Sequence, residues 1–180
     1  LGEEKGPRKV KLFFGLLFVK DDLREEVERR LALDFGEIDL RSPVLPFDQT
    51  DYYNKEMGEG IRRCFLSVKT LVKMEELPSV KRHTNRLEKL YADQEGRRPV
   101  NIDPGYLGLS KVVLATTKDY THRLYLGNNI YGEVTLHYGS KKKGYMAWEW
   151  TYPDYREEAA LDFFNQLRES YREEIKRMTS

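Results

Sequence analysis

The run Val10–Val19, VKLFFGLLFV, constrains the fold more than any other part of the chain. Apolar and polar residues do not alternate there, as they would on a strand with one wet face. A short continuous apolar run reads instead as a strand covered on both sides. It falls short of the ~20 apolar residues a membrane span needs, and Lys11 interrupts it. It also lacks the small-residue cleavage pattern of a signal peptide. The rest of the chain must therefore supply cover for both faces of a central strand.

The expected elements follow from local pattern. Asp22 and Glu25 form a capping box, and Leu23, Val27 and Leu31 make one apolar stripe, so a helix follows the strand and ends at Gly36. Glu37–Arg41 alternates, with Ile38 and Leu40 inward, which gives a β-α-β opening. Ile61–Lys69 returns to strand. Pro78, with Leu87, Leu90 and Tyr91 at helical spacing, marks a helix over Ser79–Asp93. Tyr145–Tyr152 reads as a strand with Met146, Trp148, Trp150 and Tyr152 on one face. After Pro153, the box Asp154–Glu157 starts a long helix whose stripe is Ala160, Phe164, Leu167, Tyr171, Ile175 and Met178. That stripe reads as core, and its end is the place for a homodimer contact. The expected fold is α+β: one domain over 9–180 behind a frayed tail at 1–8, with a mostly antiparallel sheet, flanking helices and a long C-terminal helix.

Charge narrows the partners. With 34% charged residues but 31 basic against 30 acidic, the net charge is +1. A general nucleic-acid coat or an anionic-membrane binder would show a basic excess, so neither is expected. The single cysteine, Cys64, excludes an internal disulfide and fits a reducing cytoplasm. Alternation puts it on a face with Leu66 and Val68, as a buried thiol.

Polar residues concentrate in Arg97–His137, which holds Asn101, Asp103, Lys118, Asp119, His122, Arg123, Glu133 and His137 among strand-like sequence. Gly127–Asn129 reads as a three-residue hairpin turn. That register sets Arg123 opposite Glu133, Tyr125 opposite Tyr131 and Asp119 opposite His137 on a polar face. Leu124, Leu126, Val134 and Leu136 form the other face, and His122 falls with them. The polar face is either ordinary cross-strand pairing or the lining of a cleft. NIDPGY reads as an Asp-Pro-Gly turn that positions Asp103. No P-loop, GxGxxG, HExxH, GxSxG or Cys/His cluster occurs, so no metal site is expected and no cofactor is indicated.

The strings TDYYNKEMG, TNRLEKLY, RPVNIDPGYLGLSKVVLATTKDYTHRLYL, GNNIYGEVTL and WTYPDYR resemble the bacterial family called domain of unknown function 4416. The resemblance runs from Lys9 into the last helix and implies a soluble bacterial protein. The family pattern YAEVTLRY reads YGEVTLHY here, which weakens a role for His137. Two functions stay open. In one, Asp51, Arg63, Arg98, Asn101, Lys118 and Arg123 hold a small anionic, phosphate- or nucleotide-like ligand. Asp103, Asp119 or Glu133 would then serve a transferase or hydrolase. In the other, the chain is a non-catalytic assembly module that docks a partner through TDYYNKEMG and the last helix.

Overall fold

The computed structural model describes residues 2–179; Leu1, counted in the expected tail, and Ser180, counted in the expected domain, lie outside the described residues. The elements are β1 (Val10–Phe18), α1 (Asp21–Phe35), β2 (Ile38–Arg41), β3 (Leu45–Pro46), α2 (Asn54–Met57), β4 (Arg62–Val72), α3 (Leu77–Leu90) and β5 (Val100–Leu107). They continue with β6 (Lys111–Thr116), β7 (Arg123–Gly127), β8 (Ile130–Gly139), β9 (Gly144–Ala147), α4 (Pro153–Arg156) and α5 (Glu158–Thr179). The strands form one sheet in the order β2-β4-β1-β5-β6-β8-β7, with β3 beside β4 and β9 beside β8. This is the α+β architecture that the sequence implies.

Every strand pairing is antiparallel. Because β4 lies between β1 and β2, those two run parallel, and α1 is their crossover. By the same logic β4 and β5 run parallel on either side of β1, joined through α3. Two interlocked split β-α-β units thus form the half of the sheet around β1.

β1 is buried at every position, and its two faces meet different partners. Leu12, Phe14, Leu16 and Phe18 pack with Val27 and Leu31 of α1 and Val80 and Leu87 of α3. Phe13, on the opposite face, packs with Phe163, Phe164 and Leu167 of α5. Each such large side chain contributes roughly 1.5–3 kcal/mol by leaving water. Cys64 joins the first cluster beside Leu66 and Val68, where burial pushes its thiol up to about 12. The stripe of α5 is consumed by the core and leaves Met178 outside. Among the described residues, no helix is long and apolar enough to cross a membrane.

Several local expectations shift. Helix α1 starts at Asp21 after an uncapped Lys20, and Asp22 bonds only the Leu23 N–H. Gly36, at φ 115°, still ends it, since a left-handed backbone suits glycine there. Helix α3 covers Leu77–Leu90 and leaves Leu90 exposed. NIDPGY is not a turn but most of β5. The expected strand Tyr145–Tyr152 stops at Ala147, where Thr151 accepts the Trp148 N–H and the chain bends. Asp154 does not cap a helix; it turns inward, and α4 and α5 part at an extended Glu157.

Candidate functional site

The site arises from a defect in the sheet. Strand β5 pairs with β6 only from Gly105 to Leu107, whereas β6 stays on β8 out to Thr116. Toward its start, β5 therefore swings away from β6 and leaves an open edge. Buried backbone groups need partners, and here side chains from α3 replace the missing strand. Glu88 accepts the Ile102 N–H at 2.7 Å, and Lys81 donates to the Ile102 carbonyl at 3.2 Å. Pro104, next on the same edge, has no N–H to leave unpaired. Lys81, Asn85 and Glu88 recur four and three residues apart, so one face of α3 aims them all into the gap.

The split opens into a cleft of about 600 Å³, within the range of small-ligand sites. Its floor comes from adjacent strands: Arg63 of β4 and Asn101 of β5 both flank Leu17, while Asp103 pairs with Gly15. Gly15 is required there. A Cβ at that position would lie 2.9 Å from Arg63 Nη1 and 2.9 Å from the Tyr155 hydroxyl. Helix α4 supplies Asp154 and Tyr155 from the side. The roof is the segment TDYYNKEMG: Glu56 of α2 grips Arg98 through two bonds of 2.5 and 2.9 Å, and Tyr52 stands over Lys118.

The cations of the interior differ in how fully they are paired. Arg98 also donates to Glu88 at 2.5 Å, so it is held between two carboxylates. Arg123 donates to Glu133 at 2.8 Å, Lys118 carbonyl at 3.1 Å, Thr116 Oγ1 at 3.3 Å and Tyr152 hydroxyl at 3.0 Å. Glu133, 1% exposed, takes His122 Nε2 at 3.0 Å and Thr135 Oγ1 at 3.1 Å as well. Arg63 is different. It is 5% exposed, its Nη2 lies 2.7 Å from Asp154 Oδ2 without hydrogen-bond alignment, and its Nε and Nη1 have no hydrogen-bond partner among the described residues. The buried Tyr155 hydroxyl also has none, and burial lifts its phenol far above the ordinary value, which keeps the proton on.

Asp103 is 25% exposed toward the cleft and bonds Lys81 at 3.0 Å and Asn101 at 2.6 Å. Burial works to raise its carboxyl, but the Lys81 ammonium and the Arg63 guanidinium outweigh that and hold it below the usual value. It is therefore an ionised acceptor. Lys89 and Lys118 reach the rim and form no ion pair among the described residues; Lys118 Nζ has the Tyr52 hydroxyl at 3.4 Å.

Of the expected site residues, Arg63, Arg98, Asn101, Asp103, Lys118, Arg123 and Glu133 line this cleft. Asp51 and Asp119 do not. Asp51 is exposed and holds Asn54 in a short turn, and Asp119 is exposed beside Tyr131. The hairpin explains the second miss. Arg123–Glu133 and Tyr125–Tyr131 pair as expected, but the turn is only Asn128–Asn129, at φ 55° and 60°, with a bulge at Leu126. Strand β7 starts at Arg123, so alternation does not extend to Asp119 or His122. His137 pairs with Lys111 and Met146 and stacks on Trp148 instead. Far from joining an apolar face, His122 turns to Glu133 and stacks on Trp150. Leu124 is 74% exposed, because β7 is an edge strand beyond the cover of α3.

A family model described as Domain of unknown function (DUF4416) matches residues 8–171 of the 180. The chain belongs to this family. No curated protein and no solved structure matches it. Membership in DUF4416 covers the whole split sheet and its cleft, including Lys81, Asn85, Glu88, Asp154 and Tyr155, none of which was among the expected site residues. The signal for the first three was present in the helical spacing of KRHTNRLEK. The apolar stripe of the same helix, Val80 and Leu87 among it, overlies that signal. Among the described residues, no group of three His, Cys, Asp or Glu side chains is placed to hold a metal ion.

Proposed function

We propose that the cleft binds a small ligand carrying an anionic, phosphate- or nucleotide-like group. The observation that supports this most strongly is Arg63. A buried donor without a partner costs about 1–3 kcal/mol, and Arg63 leaves two nitrogens, Nε and Nη1, in that condition beside the Tyr155 hydroxyl, likewise unpartnered among the described residues. A ligand that accepts from these three atoms removes the penalty. Its anionic character is supported by Lys89 and Lys118, rim cations that form no ion pair among the described residues.

Turnover as a transferase or hydrolase is the finer part of the proposal. It rests on Asp103, since Glu133 is already engaged by Arg123, His122 and Thr135. A carboxylate held below its usual value is a weak base, so binding has better support than acid–base chemistry. Assembly through TDYYNKEMG and the last helix has less, because the first roofs the cleft and the second packs in the core. A cytoplasmic home belongs to the same reading, supported by the single buried Cys64. Thermal-shift and calorimetric screening against phosphorylated metabolites, with and without Mg²⁺, tests the proposal. A saturable 1:1 isotherm with at least one of them is expected. Silence across the panel would overturn it.

A further inference from the structure

We infer that the ligand enters body-first, with an uncharged hydroxyl- or amide-bearing group on the floor and its phosphate ester at the rim. This rests on the proposal that the cleft binds an anionic small molecule, and it assigns each end of that molecule a place.

The argument is one of local charge and hydrogen-bond direction. On the floor, Arg63 faces Asp154 at 2.7 Å and Lys81 faces Asp103 at 3.0 Å, two cations against two carboxylates. A phosphate buried there would gain no net positive charge and would meet two carboxylates after losing its water. The floor instead lacks acceptors for Arg63 Nε, Arg63 Nη1 and the Tyr155 hydroxyl, and it offers the ionised Asp103 to a donor. An ionised carboxylate only accepts, and a guanidinium only donates. The group that satisfies both is uncharged and carries donor and acceptor side by side. The hydroxyls of a sugar do so, and so does the amide edge of a base. The roof places the aromatic side chains of Phe47 and Tyr53 beside such a body. Lys89 and Lys118 then stand where an anionic tail emerges, with Tyr52 and Tyr120 exposed between cleft and solvent.

Calorimetry at fixed ionic strength with inorganic phosphate, ribose 5-phosphate, the four ribonucleosides and their 5′-monophosphates tests this. The phosphorylated compounds should bind about tenfold tighter than both inorganic phosphate and the matching unphosphorylated body. Equal affinity for ribose 5-phosphate and the nucleotides places the sugar on the floor, and a base-dependent gain for the nucleotides places the base there. In K89A/K118A the phosphate advantage should vanish while nucleoside or sugar binding persists, and rising salt should erode the same advantage because the rim is exposed. Tyr155→Phe keeps the packed ring and removes only a hydroxyl without a protein partner. It should weaken phosphorylated and unphosphorylated ligands by the same factor. If inorganic phosphate binds as tightly as its esters and Tyr155→Phe weakens it, the anion sits on the floor and the orientation is wrong, although anion binding stands. If no probe binds, the proposed function fails together with this inference.

Discussion

Arg63 and Arg123 are both buried guanidiniums that line the same cleft and face a carboxylate, yet the protein satisfies them to very different degrees. Arg123 meets four protein acceptors, one of them a glutamate that also holds a histidine and a threonine. Arg63 has one ionic contact and two nitrogens, Nε and Nη1, that find no acceptor among the described residues. Burial and charge are common to both, so neither marks a binding residue. Unused hydrogen-bond capacity inside the cleft is what supports the proposed role of Arg63. On this view Arg123 and Glu133 fasten the edge hairpin to the sheet, and Arg63 is the group a ligand completes.

The comparison breaks most visibly at Glu133. Removing it leaves the buried Arg123 and the half-buried His122 without their shared carboxylate, so Glu133→Ala should cost about 3–5 kcal/mol in urea unfolding. A loss below about 1 kcal/mol would mean that the network is decorative. Next in size, replacing both members of the looser pair, R63M/D154L, removes two buried charges together and should change stability by only ~1–2 kcal/mol in either direction. The same variant should lose ligand binding entirely. A variant that still binds would take the ligand away from Arg63.

Smaller effects sharpen the picture around these two residues. The roof is held by Glu56 on Arg98, where the guanidinium hydrogen bond pulls the Glu56 carboxyl below its usual value. Glu56→Gln should cost no more than about 1 kcal/mol, because both groups are partly exposed. It should, however, speed proteolysis within residues 48–60, and an unchanged cleavage pattern would show that the roof is held by other contacts. Asp103 gives a pH signature. Its folded carboxyl lies below the usual value of 3.8, so it stabilises the fold above that pH and loses the contribution as pH falls further. Acid titration of wild type against Asp103→Asn should show the gap closing below about pH 4, by a few tenths to ~1 kcal/mol. The smallest expectation concerns Cys64. With its thiol pushed up to about 12, it should react with disulfide reagents at pH 8 only on the timescale of unfolding.

What the sequence made legible was whatever depends on one strand or one helix. The unbroken apolar run declared β1 a doubly covered strand, and period two placed Cys64 with Leu66 and Val68. The Arg123–Glu133 pairing was readable because a hairpin is local. The cleft was only half readable, for a physical reason: it lies where β5 leaves β6, and no pattern within either strand announces a splay. NIDPGY illustrates the difficulty, since Asp-Pro-Gly favours a turn in isolation. In the fold, β1 pairs along its whole length and holds it extended. Asp154 likewise looked like a cap after Pro153, because the charge that draws it inward, Arg63, is ninety-one residues away in sequence.

The difference between the two arginines can be read directly from their side-chain Nε–H signals in ¹H–¹⁵N spectra. Titration with whichever phosphate ester binds most tightly should shift the Arg63 Nε–H and slow its exchange with water. The Arg123 Nε–H, already bonded to Glu133, should stay in place and remain slow throughout. A ligand that saturates the protein yet moves Arg123 and leaves Arg63 untouched would contradict the account.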